Sequence, residues 1–174
     1  MMRKLSEKDA FAVIAKSCSL FCGVNSFDEL RQNGWIVNNF FLKGIPYIWR
    51  DNRRISEDRF WRSFMEVFSM VGENSGLILF CDGRSWWRKN GKEPRRFDCL
   101  YDAVDFMNKY AYYGRRQWVY GRKNDNYNLV FLNKDIFVSF THDGEMLCFS
   151  RKLGFLRSIE HLWKTRRLSC HSSF

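Results

Sequence analysis

The chain has 174 residues, 45% of them hydrophobic and 18% aromatic, and a formal net charge of +10. That apolar content argues against intrinsic disorder, and the length suits one globular domain, residues 1–174, whose core needs no disulfide staples. The longest apolar runs, such as Leu77–Cys81, are far too short to span a bilayer, and Glu7, Lys8 and Asp9 interrupt the place where a signal peptide carries its apolar stretch.

Reading along the chain, Ser6 with Asp9 caps a first helix that runs to about Phe21, with Phe11, Ile14, Ala15 and Cys18 as its apolar stripe. Ser26 and Glu29 form a capping box for a short second helix, and Gly34 can end it. Residues 35–49 are rich in aromatic and β-branched side chains and predict strand, broken by a turn at Gly44 and Pro46. Ser56 opens a helix with Phe60, Trp61, Phe64, Met65, Phe68 and Val71 at helical spacing. This aromatic stripe reads as core.

Residues 77–89 predict a hairpin that turns at Asp82-Gly83, a pair suited to two positive φ angles. A helix is expected from Asp98 to about Ala111, with Leu100, Val104, Met107 and Ala111 on one face. Strands follow at 115–123, 127–133, 136–141 and 145–150, the last two joined at Asp143-Gly144. A final helix, Phe155 to Leu168, places Lys164, Arg166 and Arg167 near its negative end. The expected class is α+β, with a largely antiparallel sheet of about six to eight strands and about five helices.

The charge excess is uneven. Residues 1–76 hold 11 Lys/Arg against 9 Asp/Glu, whereas residues 77–174 hold 18 against 10. The most basic stretch, residues 83–96, contains Arg84, Arg88, Lys89, Lys92, Arg95 and Arg96 around Trp86 and Trp87. Side chains alternate across a strand. One face then collects Leu77, Leu79, Cys81, Arg84, Trp86 and Arg88, and the other Ile78, Phe80, Ser85, Trp87 and Lys89. The second face is the better core candidate, which leaves Trp86 outside between Arg84 and Arg88. Residues 116–122 align Arg116, Trp118, Tyr120 and Arg122 in the same way. Such stripes suit partner binding, since exposed Trp, Tyr and Arg supply interface hot spots. Arginine stems stacked on rings within a closed sheet face would give the same pattern.

No P-loop, dinucleotide fingerprint, G-x-S-x-G or H-E-x-x-H pattern occurs in the sequence. Cys18 and Cys22 with Cys170-His171 lack a paired knuckle, so no metal is expected. The six cysteines read as reduced, with Cys81, Cys99 and Cys148 inside apolar patterns. A nucleophile pair can be drawn from Cys148 or Cys99 with His142, but a polar hairpin turn is the ordinary reading of His142, Asp143 and Glu145. No cofactor and no catalytic residue is expected.

Two functions remain. One is a non-enzymatic protein binder of the inhibitor, antitoxin or immunity type, acting in the cytoplasm on an acidic protein partner through Arg84, Trp86, Arg88, Arg116, Trp118, Tyr120 and Arg122. The other is binding of single-stranded nucleic acid, RNA above all, with bases stacked on the aromatic rings. No membrane partner is expected.

Overall fold

One wholly antiparallel sheet of eight strands runs through the computed structural model, with helices on both of its faces. The described residues are 1–32, 44–51, 57–69, 76–81, 93–107, 127–140 and 145–174, with backbone alone at 31, 51, 57–61 and 81. The strands are β1 (Met2–Lys4), β2 (Tyr47–Asp51), β3 (Leu77–Cys81), β4 (Arg95–Phe97), β5 (Tyr127–Phe131), β6 (Ile136–Phe140), β7 (Glu145–Ser150) and β8 (His171–Ser172). They lie side by side in the order β1-β4-β3-β5-β6-β7-β2-β8. Among the described residues, five α-helices accompany them: α1 (Glu7–Ser17), α2 (Phe27–Gln32), α3 (Glu57–Ser69), α4 (Leu100–Phe106) and α5 (Leu153–Thr165). This is the α+β arrangement expected from the sequence.

The Ser6 and Ser26 caps fall where the sequence places them, and the cap expected at Ser56 lies outside the described residues. The Ser6 side chain accepts the Asp9 N–H at 3.0 Å and starts α1. The Ser26 hydroxyl accepts the Glu29 N–H at 3.0 Å, while the Glu29 carboxylate reaches back to the Asn25 N–H at 2.7 Å. α1 stops at Ser17, and a 3-10 turn, Ser19–Phe21, replaces its expected last turn. Asp135, in the turn between β5 and β6, causes the change. Its carboxylate accepts the Leu20 N–H and the Cys18 thiol and bonds the Ser19 hydroxyl, satisfying that turn's free donors. Asp135 sits at φ 57° and Asn133 at φ 61°, left-handed positions that Asp and Asn tolerate best among non-glycine residues.

Two cores result, one on each side of the sheet. α3, α4 and α5 cover a face with Leu77, Leu79, Leu129, Phe131, Val138, Phe140, Met146 and Cys148. On α3, Phe64 and Phe68 stack four residues apart at 4.4 Å and press on Phe140 and Phe131. The opposite face holds Ile78, Phe80, Val130, Phe137, Leu147 and Phe149 beneath α1 and α2. There Phe27 stacks on Phe80 at 4.4 Å, and Phe21 and Phe149 flank Phe137.

One expectation is overturned at β3. Its residues Leu77 to Phe80 are buried on both faces, at 2% exposure or less, so alternation does not leave one face open. The expected hairpin turn at Asp82-Gly83 and the placement of Trp86 outside and Trp87 inside fall on residues 82–92, outside the described residues. Both sides of Leu77 and Leu79 are taken, by β4 and by β5. The partner of β3 in the following chain is β4, at Arg95–Phe97.

Candidate functional site

Residues Arg84, Trp86 and Arg88 lie within 82–92, and Arg116, Trp118, Tyr120 and Arg122 within 108–126, all outside the described residues. His142 also lies outside them. The basic stretch nevertheless ends in the described sheet, because Arg95 and Arg96 are its last two residues and form most of β4. What they meet there is a short strand that sequence reading did not anticipate.

That strand is β1, an end strand of the sheet, paired with β4 as Met2↔Phe97, Arg3↔Arg96 and Lys4↔Arg95. Two cations therefore stand directly opposite two others. On the α4 side, each is engaged. Arg95 is buried, its guanidinium 4.7 Å from the Phe106 ring centroid and 3.6 Å from the Met2 sulfur. Lys4 stands 3.8 Å from Glu93. The ammonium of Met1 meets Asp98 and Asp102 at 3.3 and 3.0 Å, and those bonds, Asp102 first, raise its pKa. On the α1 side the balance differs. Arg3 and Arg96 are both exposed, and neither has a carboxylate partner among the described residues. Like charges directly opposite in a sheet are destabilising, so this pair raises local positive potential at a cost to the fold.

The Arg96 guanidinium lies across the end of β3, 3.6 Å from where a Cβ on Gly76 would stand. Around this edge the apolar side chains are also uncovered: Met1 is 64% exposed, Met2 44%, and Tyr101, beside Asp102 in the chain, 69%. Three of the five large hydrophobics exposed among the described residues thus lie at one end of the sheet. Met2 and Tyr101 lie on the α4 side of this edge, close to Asp98 and Asp102, whereas the exposed cations Arg3 and Arg96 lie on its α1 face, where they offer charge complementarity to an acidic partner.

Three of the described thiols are held protonated by burial. Burial pushes Cys18 up to about 12 and Cys148 higher still, and Cys170 is raised for the same reason. A thiol acts as nucleophile through its thiolate. Cys148, fully buried between β6 and β2, therefore cannot serve the pair drawn with His142. Among the described residues no cluster of three His, Cys, Asp or Glu side chains is placed to hold a metal ion. A half-open groove of about 550 Å3 lies between α1 and α2, with Phe11, Ala15, Val24 and Phe27 at its base and Glu7, Lys8 and Asp28 at its rim. Its rim charges are mixed, so it selects no ligand class.

The sequence singled out the stretch to which Arg95 and Arg96 belong, but named other residues of it as the binding site. Arg95 and Arg96 were counted among its cations, but Arg3 stands 93 positions earlier and no spacing rule joins the two. The only local signal was the basic start, Arg3-Lys4, ahead of the Ser6 cap. No family model, curated protein or solved structure matches this chain.

Proposed function

We propose that the protein is a non-enzymatic binding module that neutralises an acidic protein partner, in the manner of an antitoxin or immunity protein, and that it acts in the cytoplasm. The observation that carries this reading is the exposed Arg3–Arg96 pair, two cross-strand arginines with no carboxylate partner among the described residues. A fold retains such a pair at a cost, and an external carboxylate repays it through charge-assisted hydrogen bonds. The residues expected from the sequence, Arg84, Trp86, Arg88, Arg116, Trp118, Tyr120 and Arg122, belong to this proposal on the grounds of the sequence alone.

The test is a nuclease-treated pull-down with the tagged full chain, run beside the double variant Arg3→Glu/Arg96→Glu. The expected result is a stoichiometric complex with an acidic protein, retained by the wild type and lost by the variant at unchanged melting temperature. A complex that disappears with nuclease transfers the function to nucleic acid. In that case log affinity falls linearly with log salt, by a slope close to 0.9 per phosphate contacted on duplex DNA and about 0.7 on single strands.

A further inference from the structure

Resting on that reading, we propose that β1 accepts a ninth strand: a short acidic segment of the partner, extended along the open side of the sheet. The register of β1 supplies the first reason. Leu5 donates its N–H to the Pro94 carbonyl at 2.8 Å, and the β1–β4 register continues this pairing two residues on at Arg3↔Arg96. In an antiparallel ladder, hydrogen-bonded pairs alternate with non-bonded ones. Arg3 therefore spends its backbone groups on β4, while those of Met2 and Lys4 point away from it. Among the described residues nothing meets them: no strand lies beyond β1, and all three β1 residues are exposed. Unpaired edge groups in this alternation form a ready template for another chain. A nucleic acid has no backbone that can continue this ladder, which is why the geometry favours a polypeptide.

The side chains specify what kind of segment fits. A residue of the incoming strand opposite Arg3 lies on the α1 face, beside the Arg3 guanidinium and one strand away from Arg96, and Asp or Glu suits it. A residue opposite Met2 lies on the other face, beside exposed thioether and near the Tyr101 end of α4, and an apolar side chain suits it. A residue opposite Lys4 meets an ammonium whose contact with Glu93 is long and exposed, and an acid suits it again. Read antiparallel to β1, the segment is acidic-acidic-apolar. The three-residue strand and its cations also block pairing with a second copy of this chain, because the same cations would face each other.

The experiment uses the isotope-labelled full chain and a synthetic capped octapeptide carrying Glu-Glu-Leu at its centre. A matching peptide is N-methylated at alternate residues, on the edge that would meet β1, so that it cannot donate there. An oligouridine of eight nucleotides is the third probe. The proposal expects the first peptide to slow exchange of the Lys4 amide at least tenfold and to lose at least tenfold in affinity against Arg3→Glu/Arg96→Glu. It expects the methylated peptide to bind at least tenfold more weakly. Equal binding of both peptides, with Lys4 exchange unchanged, overturns strand addition while leaving an acidic partner standing. No binding of either peptide overturns strand addition too, and the nuclease-treated pull-down then decides the partner reading separately. Oligouridine binding that slows Lys4 exchange as much as the peptide does also overturns it.

Discussion

Replacing Arg3 by Glu should make this protein more stable and less functional at once. In the hydrogen-bonded register, the Cα atoms of Arg3 and Arg96 are about 5.5 Å apart. Directly opposed charges in a sheet are worth about 0.2–1 kcal/mol, unfavourable when alike and favourable when opposite. Both side chains are exposed, and Arg96 leans toward Gly76, so the lower half of that range applies to each state. Reversing one charge removes the repulsion and adds an attraction, about 0.5–1 kcal/mol in total. For a chain of this size that corresponds to a rise in Tm of no more than about 2–4 °C. Because β1 is a three-residue end strand, it opens locally before the sheet does. The sharper assay is exchange of the Leu5 amide, which donates to Pro94 across this strand pair. In the variant it should exchange more slowly at 0.05 M salt, and the gain should largely vanish at 1 M, where the Debye length shrinks to about 3 Å. A Leu5 amide that exchanges faster in the variant, or a gain untouched by salt, would refute the repulsion on which the docking argument rests.

Asp135→Asn keeps the left-handed backbone position but removes the charge that receives Leu20, Cys18 and Ser19. The loss should be about 1.5–3 kcal/mol at neutral pH, the range for hydrogen bonds to a charged group. Burial pushes the Asp135 carboxyl up, but its bonds from Ser19, Cys18 and Leu20, with Arg151 nearby, bring it below its ordinary value of 3.8. A depressed carboxyl stabilises above its unfolded value and loses that contribution as pH falls through the folded one. The gap between wild type and variant in urea titrations should therefore persist at neutral pH and close only below 3.8. A gap that closes at neutral pH would contradict this assignment. Native labelling with a disulfide reagent at pH 8, mapped by peptide mass, should modify exposed Cys22 and spare Cys18 and Cys148 until the chain is unfolded. Labelling of Cys148 as fast as Cys22 would reopen a thiol chemistry. Phe137→Ala, at the centre of the core under α1, should cost about 3–5 kcal/mol in the same urea titrations. A loss below about 1 kcal/mol would mean that this face is not packed as described.

Local chemistry was legible where local chemistry decides. The Ser6 and Ser26 caps, the aromatic stripe of α3 and the central strands were readable from side chains within a few positions of each other. Uninterrupted apolar runs such as Leu77–Phe80 and Tyr127–Phe131 with its buried Asn128 also carried a signal for two covered faces. One-sided alternation was imposed on them instead. The end strands were not legible. β1, β4 and β8 have three, three and two residues, mostly charged or polar, and each is a strand only because a neighbour distant in sequence supplies its ladder. The Arg3–Arg96 pair inherits that difficulty, since it exists only after β1 has found β4.

Hydrogen exchange on the complex recovered from the nuclease-treated pull-down tests the central claim most directly. If the β1 edge is the docking surface, the amides of Met2 and Lys4 become protected in the complex and lose that protection when the partner is released. A stable complex in which those amides exchange as they do in the free chain would place the interface elsewhere and contradict the account.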